Sequence, residues 1–91
     1  MSEVYIYSIK DKVTGEFMNP FYCRNEDEAK RIFAHNISKI EIWKENAEQF
    51  ELYDLGLLNT ETGIIIGNDQ PNPDPIVCHP ELICKGTDLI G

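Results

Sequence analysis

Apolar positions follow a helical period over one long stretch of the chain, residues 25–40. The apolar members fall on one stripe of such a helix: Ala29, Ile32, Phe33, Ile37 and Ile40. Asn25 is a good N-cap residue, and Glu28 stands three positions later, where a capping-box acid belongs. The pattern predicts one amphipathic helix, whose single apolar stripe needs a sheet to bury it.

Apolar and polar positions alternate with the period of a strand on both sides of this helix. Before it, residues 4–11 and 16–23 are rich in β-branched and aromatic side chains, which favour strands. After it, residues 50–58 alternate and residues 64–66 form a short apolar run. The alternation in 50–58 changes phase near Gly56, which predicts a β-bulge there. The chain is therefore expected to form two strands before the helix and two after it.

Two similar turn signals join the strands of each pair. Residues 11–15 and 59–63 both read Asp or Asn, two further residues, Thr and Gly. An Asp at the start favours a type I turn, and Gly15 can adopt the left-handed conformation that closes a hairpin. Both signals therefore predict hairpins.

The return strand of the first hairpin contains a proline. Phe17, Phe21 and Cys23 alternate, which places them on one face of a regular strand. Pro20 has no N–H for the ladder, so the strand is expected to lie at an edge or to carry a bulge there.

This order of elements predicts an α+β fold: one ββαββ domain in which a helix lies on one face of a four-stranded antiparallel sheet. The domain is expected to span residues 1–67, and residues 68–91 to form an extended, Pro-rich C-terminal tail. Residues 41–49 are interpreted as a connection with a short turn that folds Trp43 against the core. Because one helix covers only one side of four strands, we expect a homodimer or a bound partner on the other side.

Charge is distributed unevenly along the 91 residues, whose formal net charge is −8. Residues 1–44 carry seven acids and seven bases, whereas residues 45–91 carry nine acids and only Lys85 as a base. This balance opposes general attraction to a phosphate backbone, but a local basic groove in the first half remains compatible with it. No apolar run reaches membrane-spanning length and the start is polar, so a cytoplasmic protein without a membrane partner is expected.

The cysteines and histidines do not form a recognisable chemical motif. Cys23, Cys78 and Cys84 are odd in number, which predicts reduced thiols. A metal site built on Cys78, His79 and Cys84, completed by Cys23 or His35, would match no standard zinc spacing. Adjacent Cys and His residues point to opposite faces of an extended chain, and no phosphate-binding loop is present. We therefore expect no metal, no cofactor and no enzymatic activity.

Aromatic and basic residues of the predicted strands suggest a nucleic-acid interface. Aromatic rings on an open sheet can stack on unpaired nucleobases, and neighbouring lysine and arginine side chains can contact the phosphate backbone. The candidate residues are Tyr5, Tyr7, Lys10, Lys12, Arg24 and Tyr53. Aromatic residues are also common in strands because they pack well there. The alternative is an acidic protein–protein interaction module whose exposed sheet face and Pro-rich tail bind a protein.

Several of these segments, taken in order, resemble a known viral family. They include a Tyr-Ser-Ile-x-Asp motif at 7–11, Pro-Phe at 20–21, and the stretch 49–63 with its closing turn. In this order and spacing the chain resembles the small nonstructural protein of gokushovirus-type microviruses, which are small single-stranded-DNA phages. The resemblance covers about residues 4–66.

The resemblance implies a nonstructural accessory role in the cytoplasm of a host bacterium. Proteins of this kind are often labelled DNA-binding, so it implies action in genome synthesis or packaging. The partners that it implies are single-stranded DNA or a viral or host protein of replication or of the capsid.

Overall fold

The computed structural model of the protein describes residues 3–67 and 80–89. Six strands and two α-helices lie within these ranges: β1 Glu3–Asp11, β2 Glu16–Phe17, β3 Phe21–Cys23, α1 Glu26–Lys39, α2 Glu41–Glu45, β4 Phe50–Asn59, β5 Ile65–Ile66 and β6 Glu81–Lys85. Two short 3₁₀ turns accompany them at Ala47–Gln49 and Gly86–Leu89. Within the same ranges, neither helix has the length and apolarity needed to cross a membrane.

The sheet is antiparallel and is built around its two long strands. β1 and β4 pair along their whole lengths, from Glu3 opposite Asn59 to Asp11 opposite Phe50. β2 and β3 pair, one after the other, with the edge of β1 that faces away from β4. β5 and β6 both pair with β4. The α+β class, the antiparallel sheet and the main helix are thus confirmed. The prediction of four strands is wrong, since the described residues contain six.

The first additional strand arises because the return strand of the first hairpin is interrupted. Phe17 pairs with Lys10, whereas Phe21 pairs with Tyr7. The two phenylalanines are four residues apart, but their partners on β1 are only three residues apart, so the return segment contains one extra residue. The interruption lies at residues 18–20 and contains Pro20, as its missing N–H suggested. As a result, Phe17 does not share a face with Phe21, and that prediction was wrong.

The second additional strand comes from residues that were assigned to the tail. β6 pairs with the middle of β4, where Cys84 lies opposite Leu52 and Leu82 lies opposite Tyr53. Ile83 is therefore an extra residue on β6, and this bulge explains why residues 81–85 show no clear period in the sequence. The Pro-rich stretch 68–79 lies outside the described residues, so its extended form stays a prediction.

The predicted bulge near Gly56 is present in β4. Ile6 pairs with Gly56 and Tyr7 with Asp54, which leaves Leu55 as the extra residue. Gly56 has φ +147°, and a Cβ added there would stand 2.8 Å from the carbonyl oxygen of Ile66. This close approach of two backbones requires glycine.

Asn25 is the N-cap of the main helix, as the sequence predicts, but the Glu28 carboxylate accepts the backbone N–H of Arg24 rather than that of Asn25. The side chain of Asn25 accepts a hydrogen bond from the Glu28 N–H at 2.8 Å. Ala29, Phe33 and Ile37 are buried against the sheet, but Ile32 is 37% exposed, and Ile40, the C-cap residue, is 40% exposed. The buried row runs at i, i+4 and i+8, and Ile32 projects from its margin, so the apolar stripe is narrower than predicted.

The core lies between α1 and one face of the sheet. Its buried members are Tyr7, Ile9, Cys23, Ala29, Phe33, Ile37, Ala47, Phe50, Leu52 and Cys84. Trp43, in the short helix α2, stacks on Phe50 with ring centroids 4.4 Å apart. The expectation that Trp43 folds against the core is confirmed. α1 and the residues that follow it therefore close one side of the sheet.

Candidate functional site

The face of the sheet opposite α1, called the open face below, is defined by the strand register. Directly paired residues of neighbouring strands share a face, and Tyr7 and Ile9 point to the helix. The open face therefore carries Val4, Ile6, Ser8 and Lys10 of β1 with the residues paired to them. Large apolar side chains stay exposed on this face: Phe17, Tyr22, Ile65 and Leu82.

Lys10 and two aromatic rings form a compact group at one end of the open face. The Lys10 Nζ lies 5.6 Å from the centre of the Phe17 ring, within the range of a cation–π contact. The Phe17 and Tyr53 rings meet edge to face, with centroids 5.1 Å apart. The two rings and the cation thus occupy one continuous patch.

Glu51 lies at the centre of the same end of the face. It is 8% exposed, accepts a hydrogen bond from the Tyr53 hydroxyl at 3.1 Å, and lies 3.9 Å from the Lys12 Nζ. Its paired neighbours are Lys10 on β1 and Lys85 on β6. Burial, and secondly the hydrogen bond to Glu51, raise the pKa of Tyr53.

This group is called the lysine end below. It comprises Lys10, Lys12, Phe17, Glu51, Tyr53 and Lys85. Three lysines lie around Glu51, and a second carboxylate, Asp88, accepts a hydrogen bond from the Lys85 backbone N–H at 2.9 Å. Positive charge therefore exceeds negative charge in this group, on an otherwise acidic chain. Cations beside aromatic rings on a sheet face suit a phosphate backbone with unpaired bases.

An apolar groove occupies the other half of the open face. It has a volume of about 390 Å³ and is lined by Ile6, Pro20, Tyr22, Leu55 and Ile65. The bulge in β4 supplies Leu55, and Tyr22 is 62% exposed. None of the lining residues is charged, so the groove suits an apolar rather than an ionic partner.

The structure brings together three of the six residues that the sequence suggested for nucleic-acid binding. Lys10, Lys12 and Tyr53 meet at the lysine end.

The other three candidates lie elsewhere. Tyr7 is only 1% exposed, in the core on the helix side, so its ring cannot stack a base; burial, and secondly the charge of Asp54, raise its pKa. Tyr5 is on the same side of the sheet, with its ring 6.3 Å from that of Tyr7. Arg24 contacts Glu28 at the start of α1, with its Nη2 3.0 Å from the carboxylate.

Two residues of the lysine end were not among the sequence candidates. The sequence pattern placed Phe17 on one face with Phe21 and Cys23, but the interruption at 18–20 shifts its register and puts it on the open face. Lys85 was assigned to the tail, although it is the only base in the acidic half. The position of Lys85 as a lone base among acids was the one sequence signal for its role. The pairing of β6 with β4 places it beside Glu51.

The described cysteines are core residues. Cys23 and Cys84 are buried free thiols, and burial is the first cause that raises the pKa of each. Cys78 and His79 lie outside the described residues. Buried thiols with raised pKa values are poor nucleophiles, so these two support packing.

Comparison with known proteins gives one positive result. Searches among curated proteins and among solved structures found no match. The family model described as "Phage ORF5 protein" matches residues 4–89. The match reaches β6 and the turn after it, beyond the 4–66 that the sequence resemblance covered. A phage relationship is confirmed, while the narrower assignment to gokushovirus-type microviruses stays a prediction. The chain belongs to the Phage ORF5 protein family.

Proposed function

We propose that this phage accessory protein binds single-stranded DNA through the lysine end of its open face, without catalysing a reaction. The observation that carries the proposal is the position of Lys10, Lys12 and Lys85 around Glu51, beside the Phe17–Tyr53 ring pair. These are three of the eight basic residues in the chain. In the cytoplasm of a host bacterium, such binding would act in genome synthesis or packaging.

The electrostatics favour weak, salt-sensitive binding. The net charge of −8 repels a strand at long range, whereas the lysines attract phosphates only within about a Debye length, ~10 Å at 0.1 M salt. Stacking on aromatic rings contributes about 1–3 kcal/mol per base and is tolerant of sequence. The protein should therefore prefer unpaired strands to duplex DNA, because only unpaired bases expose their faces.

Fluorescence anisotropy with a labelled oligothymidylate at low salt tests the proposal. Lys10→Gln and Lys85→Gln should each weaken binding and reduce the slope of log K against log salt by about 0.7. Lys44→Gln is the matched control, since it removes the same charge from exposed α2. Absence of binding by the unchanged protein at low salt would refute the proposal.

The apolar groove favours a second candidate function, a protein-interaction module. Ile6, Leu55 and Ile65 form an uncharged surface beside the exposed Tyr22. A host or viral replication or capsid protein, or a second copy of this chain, would bury it. Retention of a stoichiometric partner after nuclease treatment, and its loss with Tyr22→Ser, would favour this function. Sedimentation of the purified chain would show whether the partner is a second copy.

A further inference from the structure

We infer that Glu51 is a built-in counter-ion of the lysine end, and that a phosphate group of a bound strand competes with its carboxylate for the same lysines. The inference rests on the proposed binding of single-stranded DNA and identifies the residue that limits its affinity.

The burial of Glu51 is the first observation behind this inference. Ionised carboxylates are seldom buried unless they are paired, and Glu51 is 8% exposed. Two groups compensate its charge: the Tyr53 hydroxyl at 3.1 Å and the Lys12 ammonium at 3.9 Å. Both groups are hydrogen-bond donors that can also bind a phosphate oxygen. The carboxylate therefore occupies a position suited to a phosphate.

The strand register adds two more cations to this position. Lys10 and Lys85 are the paired neighbours of Glu51 on either side of β4. Such neighbours have their Cβ atoms about 5 Å apart and on one face. One carboxylate is therefore set among three lysines and neutralises one of their charges. An incoming phosphate therefore meets the attraction of the three lysines, reduced by the repulsion of Glu51.

Removing only the charge of Glu51 tests the competition. Glu51→Gln keeps the shape of the side chain and an oxygen that can accept the hydrogen bond from the Tyr53 hydroxyl. It should bind a short oligothymidylate about fivefold more tightly at low salt, the size of one unit-charge repulsion at 4 Å in water. The gain should shrink as salt is added, because salt screens the exposed phosphates and lysines, although it screens the buried Glu51 carboxylate less.

Glu61→Gln is the matched control. It makes the same change in net charge, in the turn at the opposite end of β4, about 25 Å along the strand. Its affinity for the oligothymidylate should equal that of the unchanged protein. An equal gain in both variants would mean that overall charge, not the position of Glu51, limits binding, and would overturn the inference.

The remaining outcomes separate this inference from the proposed function. If the unchanged protein binds and Glu51→Gln binds no better, the counter-ion role is refuted while DNA binding stands. Weaker binding by Glu51→Gln would mean that the carboxylate orients the lysines for the strand, which also refutes it. If neither protein binds at low salt, the proposed function fails and the inference fails with it.

A measurement on the unchanged protein keeps the inference testable should Glu51→Gln not fold. During titration with the oligothymidylate, the Glu51 side-chain carboxyl carbon should shift in NMR spectra as Lys12 is drawn to the phosphate. The shift should saturate at the same concentration as the anisotropy. A carboxyl signal that stays fixed while the strand binds would overturn the inference.

Discussion

Asp11 and Asn59 hold equivalent positions in two turns at opposite ends of the sheet. In each turn the Oδ1 atom accepts a hydrogen bond from the backbone N–H two residues later, at 2.9 Å in both. Each carbonyl also accepts the N–H of the glycine four residues later, at 2.8 Å in both. The glycines have φ values of 76° and 77°. The sequence pattern shared by the two turns is therefore a shared conformation.

Replacing either turn glycine should cost stability through the backbone alone. A Cβ added at Gly15 or Gly63 has no atom within 4 Å to meet, but the left-handed conformation disfavours any L side chain. Gly15→Ala and Gly63→Ala should each lower the free energy of unfolding by about 1 kcal/mol, measured by urea denaturation. A cost confined to one variant would contradict the equivalence of the two turns.

Gly86→Ala should be more damaging, because here the obstacle is another backbone. A Cβ at Gly86 would overlap the carbonyl of Ala47, where the turn after β6 packs on the turn before β4. The expected loss is about 2–3 kcal/mol, as for overpacking, and urea denaturation beside Gly15→Ala measures the difference. Unchanged stability would show that residues 86–89 do not rest on Ala47.

Asn25→Ala should weaken the start of α1. It removes the side-chain acceptor of the Glu28 N–H, and loss of such a cap costs about 1 kcal/mol. Circular dichroism during urea unfolding measures the change. Asn19→Ala, an exposed substitution in the interruption between β2 and β3, should leave the midpoint within experimental error. Equal effects of the two changes would argue against a capping role.

Stability should fall in acid in part because of Glu28. The Arg24 backbone N–H, and then its guanidinium, hydrogen-bond the Glu28 carboxylate and lower its pKa. A lowered pKa contributes stability above the unfolded value, near 4.3 for Glu, which is lost as pH falls through the folded value. Urea midpoints measured from pH 6 to 3 should decline less steeply in Glu28→Gln. Parallel pH profiles would rule out this contribution.

Local signals were sufficient for much of the fold. The Asn25 cap, the turn glycines and the phase change at Gly56 each act within a few residues, and each prediction is confirmed. Two of the errors, the number of strands and the face of Phe17, share one physical cause, which is loss of the two-residue period of a strand. The interruption near Pro20 and the bulge at Ile83 each add a residue, and one added residue moves every later side chain to the other face.

The candidate site was predictable only in part for the same reason. Lys10 and Tyr53 lie on regular parts of β1 and β4, so the sequence pattern could suggest them. Phe17 and Lys85 lie beyond an irregularity, and their positions depend on pairing with distant residues. Tyr7 was misjudged because alternation separates the two faces of a strand but does not reveal which face the helix covers.

The pairing of β6 has a consequence for the order of events during synthesis. Residues 81–85 complete the edge of the sheet along Glu51–Asp54, which the ribosome makes some thirty residues earlier. Until the later segment emerges, that edge of β4 offers unpaired backbone groups to other nascent chains. Maturation of this fold therefore ends with its late-emerging segment, and a chain released before residue 81 would leave a strand edge prone to aggregation.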